Sequence, residues 1–268
     1  MNNTPVILVW DTNAVDCIVR GIEFLIRNAL YPGTEFERHQ EFLTLFELVF
    51  DQLRASLDHV SHTSDRVFSE EIDPRLVGSH LRNGKALIEA YCNDVAFVGQ
   101  WSASIEHRMP SEEVAEEQIA LFQGLTEIDL GGKDLSLIVA ALKLANQIGR
   151  DAVVVTDDQA LAEEIWRLRR THVNVELDGL ICSTSRITTM FSIEILRLLH
   201  NSCGIDNRMW WNIIISFLQH HGQRALNAAR EKERKAFACI EGYRKDCDTK
   251  AELAVRREME QLFGGFDA

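Results

Sequence analysis

The chain has 268 residues, 46% of them hydrophobic and 26% charged, enough apolar material for a packed core of one or two domains. Only 4 prolines and 15 glycines argue against disorder or low complexity. The net charge of −13 argues against a broad basic surface for nucleic acid; the deficit falls on residues 1–205, whereas residues 206–268 are close to neutral.

The N-terminal stretch "MNNTPVILVWDTN" lacks a basic leader, and its apolar run stops at Asp11, so it does not read as a signal peptide. "VILVW" (6–10) is instead a β-branched-rich run bounded by Pro5 and Asp11, the pattern of a strand buried on both faces. Helical spacing follows in Val15, Ile18, Val19, Ile22, Leu25, Ile26 and Leu30, stopped by "YPG". A second helix is expected from about Glu35 to His59 on the stripe Phe42, Leu45, Phe46, Val49, Phe50 and Leu53. "DRVFSEEI" (65–72) suggests a short strand ending in acids and closed by Pro74.

From 75 to 123 the pattern is helical, with breaks expected near Gly99 and Met109–Pro110. Gly131–Gly132 makes a turn, and "KDLSLIVAALKLANQIG" is a nearly all-apolar helix closed by Gly149. "AVVVTDD" then gives a strand, 159–170 a helix, "VNVEL" a strand and 190–200 a helix. Alternating strands and helices predict an α/β domain with parallel βαβ units and a sheet covered on both faces. Residues 206–268 carry no strand signal and read as a helical C-terminal extension. Within them "MWWNIIISFL" is about half the ~20 apolar residues that a membrane span needs. It reads as an element buried in this chain, or else as a self-association or partner-docking helix.

Six scattered cysteines give neither CxxC zinc spacing nor a compact disulfide framework, and His220–His221 have no third ligand at helical spacing. Together these features predict a cytoplasmic protein without a membrane span.

The acids carry the chemistry. In a parallel α/β sheet, functional groups gather outside the carboxyl ends of the strands. Asp11 follows "VILVW", Glu70 and Glu71 follow "DRVF", Asp157 and Asp158 follow "AVVV", and Asp134 opens the helix after the Gly-Gly turn. Singly, each could be no more than a helix N-cap. Converging, they would repel one another unless a hard divalent cation lay between them, and oxygen-only ligation selects Mg²⁺ or Mn²⁺. Thr12, Asn13, Ser69 and Thr156 are placed to hydrogen-bond and orient these carboxylates.

In this order, "VWDTNAV", "RVFSEEI", "GGKDLSLIVAALKLA" and "VVVTDDQAL" resemble the PIN domain nucleases over roughly residues 5–200. The resemblance implies a three-layer α/β/α sandwich over 1–205, with a helical insertion at about 75–125. It also implies a metal-dependent endoribonuclease acting on single-stranded RNA or loops. By resemblance, the acids that hold the metal and catalyse are Asp11, Glu71, Asp134 and Asp158, with Thr156 orienting them and Asp157 a further ligand candidate. For the second acid Glu71 is taken, with Glu70 and Asp73 as alternatives. PIN-like toxins form homo-oligomers and are restrained by small antitoxins, so both partners are implied.

RNA must still be held by cations, and the candidates are Arg20 on the first helix, Arg75 and Arg82 after the second acid, and Arg169 and Arg170 in "WRLRR". "REKERK" in the tail alternates sign and reads as a solvated helix face.

Two rival readings remain. A haloacid-dehalogenase-like phosphatase also opens on an apolar strand and Asp, but needs a second Asp where Asn13 stands. A PIN-like scaffold without catalysis would use the helical tail as its working surface.

Overall fold

The computed structural model describes residues 6–26, 35–57, 60–75, 94–192 and 194–195. Arg82, the 206–268 extension and its "MWWNIIISFL" and "REKERK" segments lie outside them.

Five parallel strands form the central sheet in the order β3-β2-β1-β4-β7. Its centre is β1 (Ile7–Trp10) beside β4 (Ala152–Val155), and every residue of both is buried. Successive strand side chains point to opposite faces, so both faces are covered at the centre. This is the α/β arrangement that the apolar runs predict.

From β1 the chain passes through α1 (Thr12–Leu25) and α2 (Glu35–Leu57) to β2 (Val60–Ser64) on one side. On the other side of β1, β4 leads through α7 (Gln159–Thr171) towards β7 (Ile187–Met190). The winding therefore reverses between β1 and β4, which opens a crevice at their carboxyl ends.

Between β2 and β4 lie α4 (Val95–Arg108), the two-residue edge strand β3 (Ser111–Glu112), α5 (Glu116–Thr126) and α6 (Gly132–Ile148). Helix α6 is buried from Leu135 through Ala145 and packs on β1, β2, β4 and α5. It ends at Gly149, whose φ of 73° is left-handed, a conformation glycine adopts at little cost. Phe42, Phe46 and Phe50 form a row of rings along α2, and Phe42 meets Phe97 and Trp101 of α4. The Phe42 and Trp101 rings meet edge-on at 5.8 Å, a geometry that the aromatic quadrupole favours.

Four local expectations need correction. The second strand is the polar run Val60–Ser64, not "DRVFSEEI". The Ser64 side chain accepts from the Val67 N–H and starts a helical turn, α3 (Asp65–Val67), which widens into a π-helical turn over Phe68–Ile72. Gly99 does not break α4, because the roughly 1 kcal/mol cost of a mid-helix glycine is set against the buried Phe97, Trp101 and Ile105. The break at Met109–Pro110 occurs as expected.

"VNVEL" forms a strand, β5 (Asn174–Leu177), but it pairs antiparallel with β6 (Leu180–Ser183) outside the main sheet. Asp178 and Gly179, both at positive φ, close that hairpin as a two-residue turn. The fifth strand of the main sheet is β7, before the stretch read as helix from 190. Among the described residues, no helix is long and apolar enough to cross a membrane.

Candidate active site

Asp11 stands where β1 ends. Its N–H bonds to the Val155 carbonyl at 3.0 Å, which fixes it at the crevice between β1 and β4. Only 4% of the residue is exposed. Thr156 Oγ1 donates to its Oδ2 at 2.6 Å, and Asn13 Nδ2 reaches the same oxygen at 3.4 Å. Burial pushes the carboxyl up to about 7 despite the Thr156 bond, and the neighbouring Asp134 and Glu71 push the same way. Without a cation, this group resists ionisation at neutral pH.

Glu71 comes from the π-helical turn after α3. Its Oε2 accepts from Thr12 Oγ1 at 2.6 Å, and its Oε1 is ion-paired with the Lys133 ammonium. Asp134, in the first turn of α6, is half-buried; burial raises its pKa, and so do the charges of Asp158 and Glu71. A Cβ added at Gly131 would lie 3.5 Å from Asp134 Oδ2, so the turn passes close by this carboxylate. Asp158 caps α7: its Oδ1 accepts from Ala160 N at 2.7 Å and Leu161 N at 3.3 Å. Its own N–H bonds to Thr156 Oγ1 at 3.0 Å, so one threonine ties Asp158 to Asp11.

Asp11, Asn13, Glu70, Glu71, Asp134 and Asp158 line one open cleft of about 420 Å³. Four segments distant in sequence thus bring their acids to one place. Among the described residues, no three Asp, Glu, His or Cys side chains draw together closely enough to hold a metal ion as they stand. Glu71 is bonded to Thr12 and Lys133, and one Asp158 oxygen to the amides of α7.

Other expected site residues have different places. Asp157 does not line the cleft; its carboxylate accepts from the Ser192 N–H at 3.0 Å and from the Ser192 hydroxyl. Asp73 is fully buried, bonded to Ser102 Oγ at 2.7 Å and to Arg75. Between the two remaining candidates for the second acid, Glu70 lines the rim and pairs with Arg66 at 3.1 Å, whereas Glu71 bonds across to α1. Ser69 makes a local bond to the Arg66 carbonyl at 3.4 Å and does not orient a site carboxylate.

Of the expected RNA-binding arginines, the three whose side chains are described, Arg75, Arg169 and Arg170, do not line the cleft. Arg75 pairs with Asp73 and Glu106. Arg169 and Arg170 lie in the last turn of α7, whose first turn is at the site; at 1.5 Å per residue they are roughly 17 Å away along the helix. There Arg170 lies over the Trp166 ring and Arg169 reaches the Ile187 carbonyl. Arg20 belongs to α1, and its side chain is outside the described residues.

Among the described residues, the cations that line the cleft are Arg66 and Lys133, neither of them among the expected RNA-binding residues. Arg66 pairs with Glu70 at 3.1 Å and Glu116 at 2.7 Å. Its guanidinium lies against Gly132, where an added Cβ would meet Nη1 at 3.1 Å. Their signal was modest: Lys133 directly precedes Asp134, and Arg66 opens the segment that ends in Glu70 and Glu71.

Comparison of the chain with protein-family models, curated proteins and solved structures finds no match.

Proposed function

We propose that this cleft binds Mg²⁺ or Mn²⁺ and hydrolyses phosphodiester bonds of single-stranded RNA, as the PIN-like reading of the sequence implies. The observation that carries the proposal is the meeting of Asp11, Glu71, Asp134 and Asp158 in one cleft at the carboxyl ends of β1 and β4. The donor set suits a hard cation: it is all oxygen, it is crowded with like charge, and its deepest member is pushed up to about 7. Asp11, Glu71, Asp134 and Asp158 would hold the cation, with Glu71 first released from Lys133.

When bound, such a cation neutralises charge on the phosphodiester and acidifies water. The chain's own residues supply orientation and proton handling. Thr156 and Asn13 hold Asp11 through one oxygen, and Thr12 holds Glu71. Asp134, raised by burial and by Asp158 and Glu71, is a more basic carboxylate than usual and so better able to accept a proton from water. Among the described residues no Ser or Cys lines the cleft, which fits direct attack by water.

The test is a substrate panel with Mn²⁺ or with EDTA: single-stranded RNA, single-stranded DNA and a small chromogenic phosphate ester. Cleavage of RNA that needs Mn²⁺ supports the proposal. Turnover of the ester without nuclease activity would point to a phosphatase, and inertness on all three to a scaffold.

A further inference from the structure

We infer that Lys133 is an internal counter-ion that holds Glu71 until a divalent cation takes its place, and that the released ammonium then engages the substrate phosphate. This rests on the metal-dependent reading of the cleft and adds a residue to it.

Among the described residues two cations line the acidic cleft, and they are held differently. Arg66 is tied twice, to Glu70 and Glu116, and lies against Gly132. Neither of its partners is among the carboxylates that would take a cation. Lys133 has one ion-pair partner, Glu71 Oε1, and that carboxylate is the one brought to the crevice by the turn after β2. The Lys133 side chain is 41% exposed against 19% for Glu71, so the lysine can turn outwards while the glutamate stays. It occupies position two of α6, directly before Asp134; wherever its ammonium swings, it remains anchored beside that acid.

The Lys133 ammonium offsets part of the repulsion among Asp11, Glu71, Asp134 and Asp158, but only a more highly charged ion bridges several of them. Once displaced, Lys133 is a flexible, solvated cation on the wall of a cleft whose other described cation is already engaged. A phosphodiester entering an acid-lined cleft needs such a group.

The experiment compares the full chain with Lys133→Met, which keeps the stem and removes the charge, and with Arg66→Met as the control for a general change of field. Mn²⁺ affinity is measured by calorimetry. Binding of a 2′-O-methyl oligoribonucleotide is measured in saturating Mn²⁺ at 4 °C, with its integrity checked by electrophoresis after each titration. Lys133→Met should tighten Mn²⁺ about three- to fivefold, the upper scale of a partly exposed ion pair, and should weaken the oligonucleotide severalfold. Arg66→Met should leave Mn²⁺ affinity within about twofold of wild type. Equal Mn²⁺ affinity in wild type and Lys133→Met would overturn the inference, as would an equal gain in Arg66→Met. Unaltered oligonucleotide binding in Lys133→Met would also overturn it. No Mn²⁺ binding by any of the three would instead remove the metal reading beneath it.

Discussion

Thr156 Oγ1 donates to Asp11 Oδ2 across 2.6 Å and accepts from the Asp158 N–H at 3.0 Å, joining the ends of the two central strands through a fully buried hydroxyl. Thr156→Val keeps the shape and removes both bonds. The expected result at pH 8, where Asp11 is ionised, is a stability loss of about 1–3 kcal/mol, measured by urea denaturation in EDTA. An unchanged midpoint would show that the bond does not hold the strand ends.

Asp11 gives a pH dependence whose sign is fixed. Its pKa of about 7 in the folded chain, against 3.8 as the ordinary value, means that folding takes up a proton between those limits. Stability from this group is therefore present below about pH 4 and is lost as pH rises through 7. A shift of that size corresponds to at most about 4 kcal/mol. In EDTA, Asp11→Asn should match wild type near pH 3.5 and exceed its stability by about 2–4 kcal/mol at pH 8. Parallel stability profiles for the two proteins would contradict this account.

The three acids near 71 should separate cleanly. Glu71→Gln should lower Mn²⁺ affinity at least tenfold by roughly the loss of one charged ligand, with little change in melting temperature. Glu70→Gln, bound to Arg66 at the rim, should affect Mn²⁺ affinity by no more than about threefold. Asp73→Asn should instead destabilise the fold by about 2–4 kcal/mol, because it leaves the buried Ser102 and Arg75 contacts incomplete. Calorimetry with Mn²⁺ and thermal melts on all three variants decide the matter; a large affinity loss in Asp73→Asn without unfolding would reassign the second acid.

Asp157 is expected to matter for stability alone. Asp157→Ala removes its two bonds to Ser192 and should cost about 1–2 kcal/mol with Mn²⁺ affinity kept. A loss of affinity in a folded protein would return Asp157 to the site.

Much of this was legible because hydrophobic burial writes itself into sequence. "VILVW" and "AVVV" are buried at every position, so their apolar runs locate the centre of the sheet and, with it, Asp11, Thr156 and Asp158. The second strand was not legible. "VSHTS" is mostly polar, and its inner hydroxyls are satisfied by partners remote in sequence: Thr63 by the Trp10 carbonyl and Ser64 by Ser136. The apolar pair Val67–Phe68 beside it attracts a strand assignment that the Ser64 cap overrules.

The cations were misread for a related reason. "WRLRR" is the densest basic run before the tail, yet it ends a helix whose first turn faces the crevice. Lys133 and Arg66, each isolated in the sequence, are carried to the cleft by the start of α6 and the turn after β2. Density of charge says nothing about which end of a helix it occupies.

The most direct test of the central claim is cleavage of a mixed single-stranded RNA pool by wild type and Asp134→Asn, each with Mn²⁺ and with EDTA. Asp134 lies in the cleft with its pKa raised by burial and by Asp158 and Glu71. The account predicts Mn²⁺-dependent fragments from wild type and a loss of about a hundredfold or more in the variant, the scale on which a positioned acid–base group acts, with its fold retained. Equal cleavage by the two proteins would contradict it.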